Sequence, residues 1–217
     1  MEYTTLGRTG LTVSVAGLGC GGNSKIGQGA GQSAAQSVAL IRQAMDLGVT
    51  FFDTARGYGT EKVLGQAIKS GPRDAVVVSS KHHAGGVSAA EIATEIDASL
   101  RDLQTDYIDI FHLHGVHPET YDHALDELAP ALLRAREQGK IRFLGITETS
   151  PHDHGQTMLQ RAVGADCWDV MMLGFNMMHQ VARTRVLPHT MERKIGTLIM
   201  FAVRNLFSVP GKLEQTM

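Results

Sequence analysis

The sequence predicts an α/β fold in which parallel strands and helices alternate toward a (β/α)8, TIM-type barrel, and three observations lead there. Short apolar or β-branched runs alternate with helix-like stretches over residues 15–203. Those runs are apolar throughout rather than at every second residue, as expected of strands covered on both faces by parallel-sheet packing. Asp53, Lys81 and His114 fall at the C-terminal ends of three different runs, the rim where barrel active sites are assembled. An open doubly wound sheet shares the alternation; the placement of these polar residues favours the barrel.

The elements follow in order. Residues 3–13 read as a hairpin turning at Gly7 to Gly10. A strand at 15–19 ends in glycines, and residues 32–47 carry helical spacing through Val38, Ile41, Ala44 and Met45. Residues 50–53 form a strand and 60–70 a short helix. The β-branched run 75–81 precedes an amphipathic helix, 89–103, with Ile92, Ile96 and Leu100 on one stripe. Strand 107–114 leads into one long helix, 120–138, stopped by Gly139. Then come strand 141–147, helix 154–163, strand 168–173, a helical stretch at 181–193 broken by Pro188, and strand 197–203.

No linker or composition shift divides the 217 residues, so residues 1–217 read as one domain. Apolar residues make up 43% and charged residues 19%, ordinary for a globular chain. A chain of this size buries roughly 70% of its unfolded surface without a staple. A net charge of -2 gives no case for nucleic acid or an anionic membrane as partner. The two cysteines, Cys20 and Cys167, form no metal or redox motif and suit a reducing compartment. No signal-peptide pattern opens the sequence and no apolar run reaches a membrane-spanning length, so the expectation is cytoplasmic.

The chemistry gathers at the strand ends. Strand alternation puts Ala75, Val77, Ser79 and Lys81 on one face, and an ammonium there needs an acidic partner, which Asp53 on the neighbouring strand supplies. Tyr58 lies in the loop just after Asp53; alone it would read as a packing or stacking residue. His114 shares a strand face with Ile108, Ile110 and His112, the last expected as a hydrogen-bonded core histidine. A carbonyl that accepts hydride needs a proton at its oxygen. A tyrosine of ordinary pKa, about 10, is a reluctant donor, and a neighbouring ammonium is expected to lower that value. A histidine can orient the carbonyl oxygen.

Asp53, Tyr58, Lys81 and His114 resemble the catalytic tetrad of the aldo-keto reductase family. Further stretches share the likeness: Leu-Gly-Arg-Thr-Gly-Leu-Thr-Val-Ser at 6–14, Gly-Leu-Gly at 17–19 and Phe-Phe-Asp-Thr-Ala at 51–55. Two more are Thr-Asp-Tyr-Ile-Asp-Ile-Phe-His-Leu-His at 105–114 and Gly-Lys-Ile-Arg-Phe-Leu-Gly-Ile at 139–146. The resemblance implies a barrel, NADP(H) or else NAD(H) as cofactor, and a small carbonyl, alcohol or sugar substrate. It also implies that the chain stops after the seventh strand, with the eighth βα unit missing, and that a second copy could cover the open edge.

The likeness breaks at the nicotinamide. Where the family carries Ser-Asn and Gln to hold the carboxamide, this sequence has Thr147, Glu148 and Met172. An ionised Glu148 can receive the amide N–H but donates nothing, and Met172 does neither. Gly19, Met200, Phe201 and Arg204 complete the expected cofactor set, with Arg204 and Lys212 as the basic residues that could meet phosphate. Three rival readings stand beside this one. The run Gly17 to Gly22 matches G-x-G-x-x-G, but residues 23–31 intervene where a helix should start. A metal-dependent barrel hydrolase would draw on the ten histidines, whose spacing forms no zinc signature; His82, His83, His117 and His123 read as loop or helix-surface residues, and no metal is expected. A shortened barrel that binds nucleotide or a partner without turnover is the third, with Met171-Met172 and Met177-Met178 either core packing or an adaptable surface.

Overall fold

The computed structural model describes residues 1–150, 152–202, 211, 214 and 215. The hairpin pairs β1 (Tyr3–Thr5) antiparallel with β2 (Thr12–Ser14), around a tight turn at Gly7–Thr9 that ends on left-handed Gly10. Seven parallel strands follow: β3 (Leu18–Gly19), β4 (Phe51–Asp53), β5 (Val77–His83), β6 (Ile108–Val116), β7 (Ile141–Glu148), β8 (Val170–Gly174) and β9 (Gly196–Met200). They neighbour one another in sequence order, the arrangement of a barrel wall, and form one curled seven-stranded sheet. Among the described residues β3 and β9 are its outer strands and do not pair with each other.

Two apolar cores result from the strand alternation. Phe51, Val77, Ile110 and Val170 point inward and meet Leu6, Leu11 and Val13 of the hairpin, which closes the lower end of the curl. The hairpin turn is pressed onto the start of β9: a Cβ on Gly7 would lie 2.3 Å from the Gly196 nitrogen. Arg8 fastens it further, donating to the carbonyls of Asp166 (2.6 Å) and Trp168 (2.8 Å). Phe52, Val78, Phe111, Leu144 and Met171 point outward against the helices. The helices there are α1 (Ala34–Asp46), capped by a reciprocal Ser33–Gln36 box, α2 (Glu61–Ile68), and α3 (Ala89–Leu103), capped by Ser88.

The long helix expected over 120–138 is interrupted. It is built as α4 (Tyr121–His123), a π-helical turn (Ala124–Leu128) and α5 (Ala129–Glu137). Pro130 has no N–H for the preceding turn, and the wider turn absorbs that missing bond. Its stop is as expected, with Gly139 left-handed at φ 73°. After α6 (Thr157–Ala162), the stretch expected at 181–193 splits into α7 (Val181–Arg185) and α8 (Leu187–Glu192). The break falls at Val186 (φ -124°, ψ -55°), two residues before Pro188, whose ring crowds the preceding backbone. Met171 and Met172 are buried in β8, whereas Met177 and Met178 are exposed. The expected strand 197–203 ends at Met200 within the described residues, and Val203 lies outside them. No helix of the described residues is long and apolar enough to cross a membrane.

Candidate active site

The rim of the curl collects the polar ends of the strands. Lys81 is 1% exposed, and its Nζ donates to Asp53 Oδ2 (2.6 Å) and to the Thr54 carbonyl (2.8 Å). Asp53 is held from the other side by Ser79 Oγ, which donates to Oδ1 at 2.8 Å. The acidic partner expected for the buried ammonium is therefore in place. Tyr58 ends a 3-10 turn, Arg56–Tyr58, closed by left-handed Gly59. Its ring centre lies 5.2 Å from Lys81 Nζ and 5.8 Å from the His114 ring, edge to face. Lys81, with Asp53 behind it, and His114 thus both stand beside the Tyr58 ring.

Two features that hold Tyr58 were not read from the sequence. The ring packs against Gly21 of the glycine-rich β3–α1 loop: a Cβ there would lie 2.4 Å from Tyr58 Cε2. Gly21 thus makes room for the phenol. The turn itself is tied down by Arg56, which pairs with Glu61 of α2 and with Glu95 (2.8 Å) and Asp102 (2.8 Å) of α3. Glu61 is buried, and its other oxygen accepts from Ser80 Oγ at 2.6 Å. An arginine two residues before the tyrosine and a glutamate three after it were the available signal.

The electrostatics correct one expectation. Tyr58 is pushed up to about 12, chiefly by burial and then by the Asp53 charge and Cys20, rather than lowered by Lys81. The reason is the ion pair: an ammonium already matched to Asp53 at 2.6 Å presents little net charge to the phenol. His114 is brought down to about 4 by burial and then by Lys81, His83 and His82, so it is a neutral imidazole over the physiological range. His112 is driven well below its ordinary value by burial and Lys81. It is a core residue as expected, but neither ring nitrogen forms a hydrogen bond among the described residues, although the nearby Ile146 backbone favours its charged form. Its Nδ1 occupies the place where a side chain on Gly145 would begin, 2.1 Å from that missing Cβ.

The residues expected at the cofactor divide. Gly19 is exposed at the end of β3, with open space where a Cβ would stand. Thr147 is buried, and its Oγ1 accepts from the Gly115 N–H (2.7 Å) and donates to the Glu148 carbonyl (3.4 Å). Glu148 is 3% exposed; Oε1 accepts from the Gly174 N–H (2.5 Å) and from Gln156 Nε2 (3.3 Å), while Oε2 is buried without a partner among the described residues. Burial raises the pKa of that carboxyl. A Cβ on Gly174 would meet Glu148 Oε1 at 3.0 Å, Phe201 Cδ2 at 3.6 Å and Ser150 Oγ at 3.9 Å, so these groups ring one small space. Met172 lines the interior and Met200 ends β9 half-buried. Arg204 and Lys212 lie outside the described residues. Gln156, fully buried at φ 52° and also donating to the Gly174 carbonyl (2.9 Å), was missed because no periodicity marks it. His82 and His83 are strand residues of β5, not loop or helix surface: His82 is buried and only His83 is exposed.

A model of the aldo/keto reductase family matches residues 17–207. The chain belongs to the aldo/keto reductase family. Its resemblances extend to "L-galactose dehydrogenase" of Arabidopsis thaliana, 39% identical over 157 residues that cover 68% of this chain and 48% of that protein. "Aldo-keto reductase YhdN" of Bacillus subtilis (strain 168) is 33% identical over 214 residues, covering 92% of this chain and 61% of that protein. This aldo/keto reductase chain therefore spans about half to three-fifths of the length of these curated relatives. Among solved structures, the holo form of aldo-keto reductase AKR11C1 from Bacillus halodurans superposes with a TM-score of 0.76 at 25% identity, over 92% of this chain and 65% of that one.

Proposed function

We propose that this chain carries the reaction centre of an oxidoreductase that moves hydride between NADP(H), or NAD(H), and a small aldehyde, ketone or sugar. The observation that carries the reading is the convergence of Asp53, Tyr58, Lys81 and His114 on one space at the rim. The unpartnered Oε2 of Glu148 fits the N–H of a carboxamide, and the Phe201 ring beside Gly174 offers an apolar wall. Glu148, Phe201 and the open backbone at Gly19 would hold a nicotinamide, which when bound supplies or accepts the hydride at its C4.

The side chains of this protein handle the proton. Neutral His114 donates an N–H to the carbonyl oxygen and fixes its position. Tyr58, protonated at neutral pH, then gives its proton to that oxygen as it becomes an alkoxide. An alkoxide is about as basic as hydroxide, whose conjugate acid has a pKa of about 15.7, so transfer from a phenol near 12 runs downhill. At neutral pH the phenol is in the protonated state that carbonyl reduction requires, although a pKa near 12 makes it a weaker acid than an ordinary tyrosine. Lys81, held by Asp53, stands 5.2 Å from the Tyr58 ring centre and positions the phenol.

The reading is tested with Tyr58→Phe, which is expected to abolish cofactor-dependent reduction across a panel of aldehydes, ketones and sugars (L-galactose included) while leaving melting temperature and cofactor fluorescence titration unchanged. Full turnover in that variant would remove the mechanism. A second reading, nucleotide binding without turnover, is favoured by one observation: the donors of Thr147 and Gln156 are already engaged, leaving the amide oxygen without a donor from them. Cofactor quenching with no turnover in the unaltered protein would select it. The two free cysteines, Cys20 and Cys167, accord with a cytoplasmic setting for either reading.

A further inference from the structure

Beyond the tetrad, the end of β5 carries three potential ligands that the proposed reaction does not use. His82 and His83 follow Lys81 directly, and Glu91 stands in the first turn of α3, held there by the Ser88 cap. Each presents one ligand atom, and the three atoms lie within 4.8 Å of one another. The two imidazole rings are 4.2 Å apart and tilted by 46°. Independently, Nε2 of His82 is buried with no hydrogen-bond partner among the described residues, an arrangement that costs free energy unless something else binds it.

We propose that His82, His83 and Glu91 form a site for a zinc-type divalent cation, with its remaining coordination position open to water. Two imidazoles and one carboxylate make a donor set suited to zinc, copper or nickel rather than to magnesium or calcium. Tetrahedral zinc, with ligands at about 2.0–2.1 Å, holds its ligand atoms about 3.3 Å apart. The present separations, at most 4.8 Å, exceed that by no more than about 1.5 Å, and the adjustable members are the two exposed ones, His83 and Glu91. His82 is fixed by the strand. Glu95, one turn along α3, adds negative potential beside His82, offset by Arg56, which it pairs with. The site abuts the reaction centre: His83 is the register partner of His114 on β6.

The test uses tag-free protein, a chromophoric chelator competing for Zn2+, and Co2+ absorption as a second readout. One equivalent of Zn2+ is expected to bind at or below about 10 µM, with visible Co2+ bands of four-coordinate intensity. His83→Gln and Glu91→Gln, both exposed changes whose folding is checked by melting temperature, are each expected to weaken binding at least tenfold. His152→Gln, in the separate His117–His152 stack, is expected to leave it unchanged. Absence of binding up to 1 mM, or affinity retained in either His83→Gln or Glu91→Gln, overturns the proposal.

Discussion

Gly21→Ala separates the position of Tyr58 from its chemistry. The added methyl would lie 2.4 Å from Cε2, 2.6 Å from Cδ2 and 2.7 Å from Cζ of the phenol, whereas ordinary contact begins near 3.4 Å. The ring must therefore retreat by about 1 Å, and it can, because Tyr58 is only half-buried. A displacement of that size at a reacting group costs about 10²-fold in rate, or about 2.7 kcal/mol of transition-state stabilisation. The stability cost of the overpacking should stay near 1 kcal/mol, since the ring yields toward open space. The assay pairs kcat/KM for carbonyl reduction with urea unfolding, using Gly71→Ala, where a Cβ meets nothing within 4 Å, as the control. A Gly21→Ala enzyme within threefold of the unaltered one would refute the idea that this glycine positions the phenol.

Acid should destabilise the protein through its depressed histidines. His114 has a folded pKa of about 4 against 6.5 when unfolded, so its contribution is complete above 6.5 and is lost as pH falls toward 4. That difference is worth about 3 kcal/mol, and urea midpoints measured from pH 7.5 to 4 should fall less steeply in His114→Asn; parallel curves would contradict the assignment. Arg56→Met strands the buried Glu61 carboxylate and is expected to cost about 3 kcal/mol, with much of it regained in Arg56→Met/Glu61→Gln. No recovery in the double variant would mean that Glu61 is not the group left uncompensated.

The strand ends were legible because strand period and burial are local rules. Lys81 on an apolar face demanded an acid, and Asp53 on the adjoining strand was the one in reach. What the sequence hid was set by tertiary contact. The direction of the Tyr58 shift depends first on how far the ring is buried and then on the Asp53 charge beside it, which residue type alone does not reveal. Gln156 joins Glu148 and Gly174 through its own left-handed backbone, and Arg56 reaches two helices at once; neither arrangement leaves a periodic trace. The interrupted helix at Pro130 was visible as a proline, but its accommodation by a π turn depends on how that helix meets β6 and β7.

The N-terminal hairpin gives the interior a floor. With Leu6, Leu11 and Val13 wedged among the inward residues of the strands and Arg8 bolted to the backbone below β8, the described curl is a cup with its mouth at the opposite end. Foundation and mouth are thus built from different residues. Changes at the base should alter how firmly the vessel stands, while changes at the lip should alter what it accepts, so the two properties can be varied independently in this scaffold.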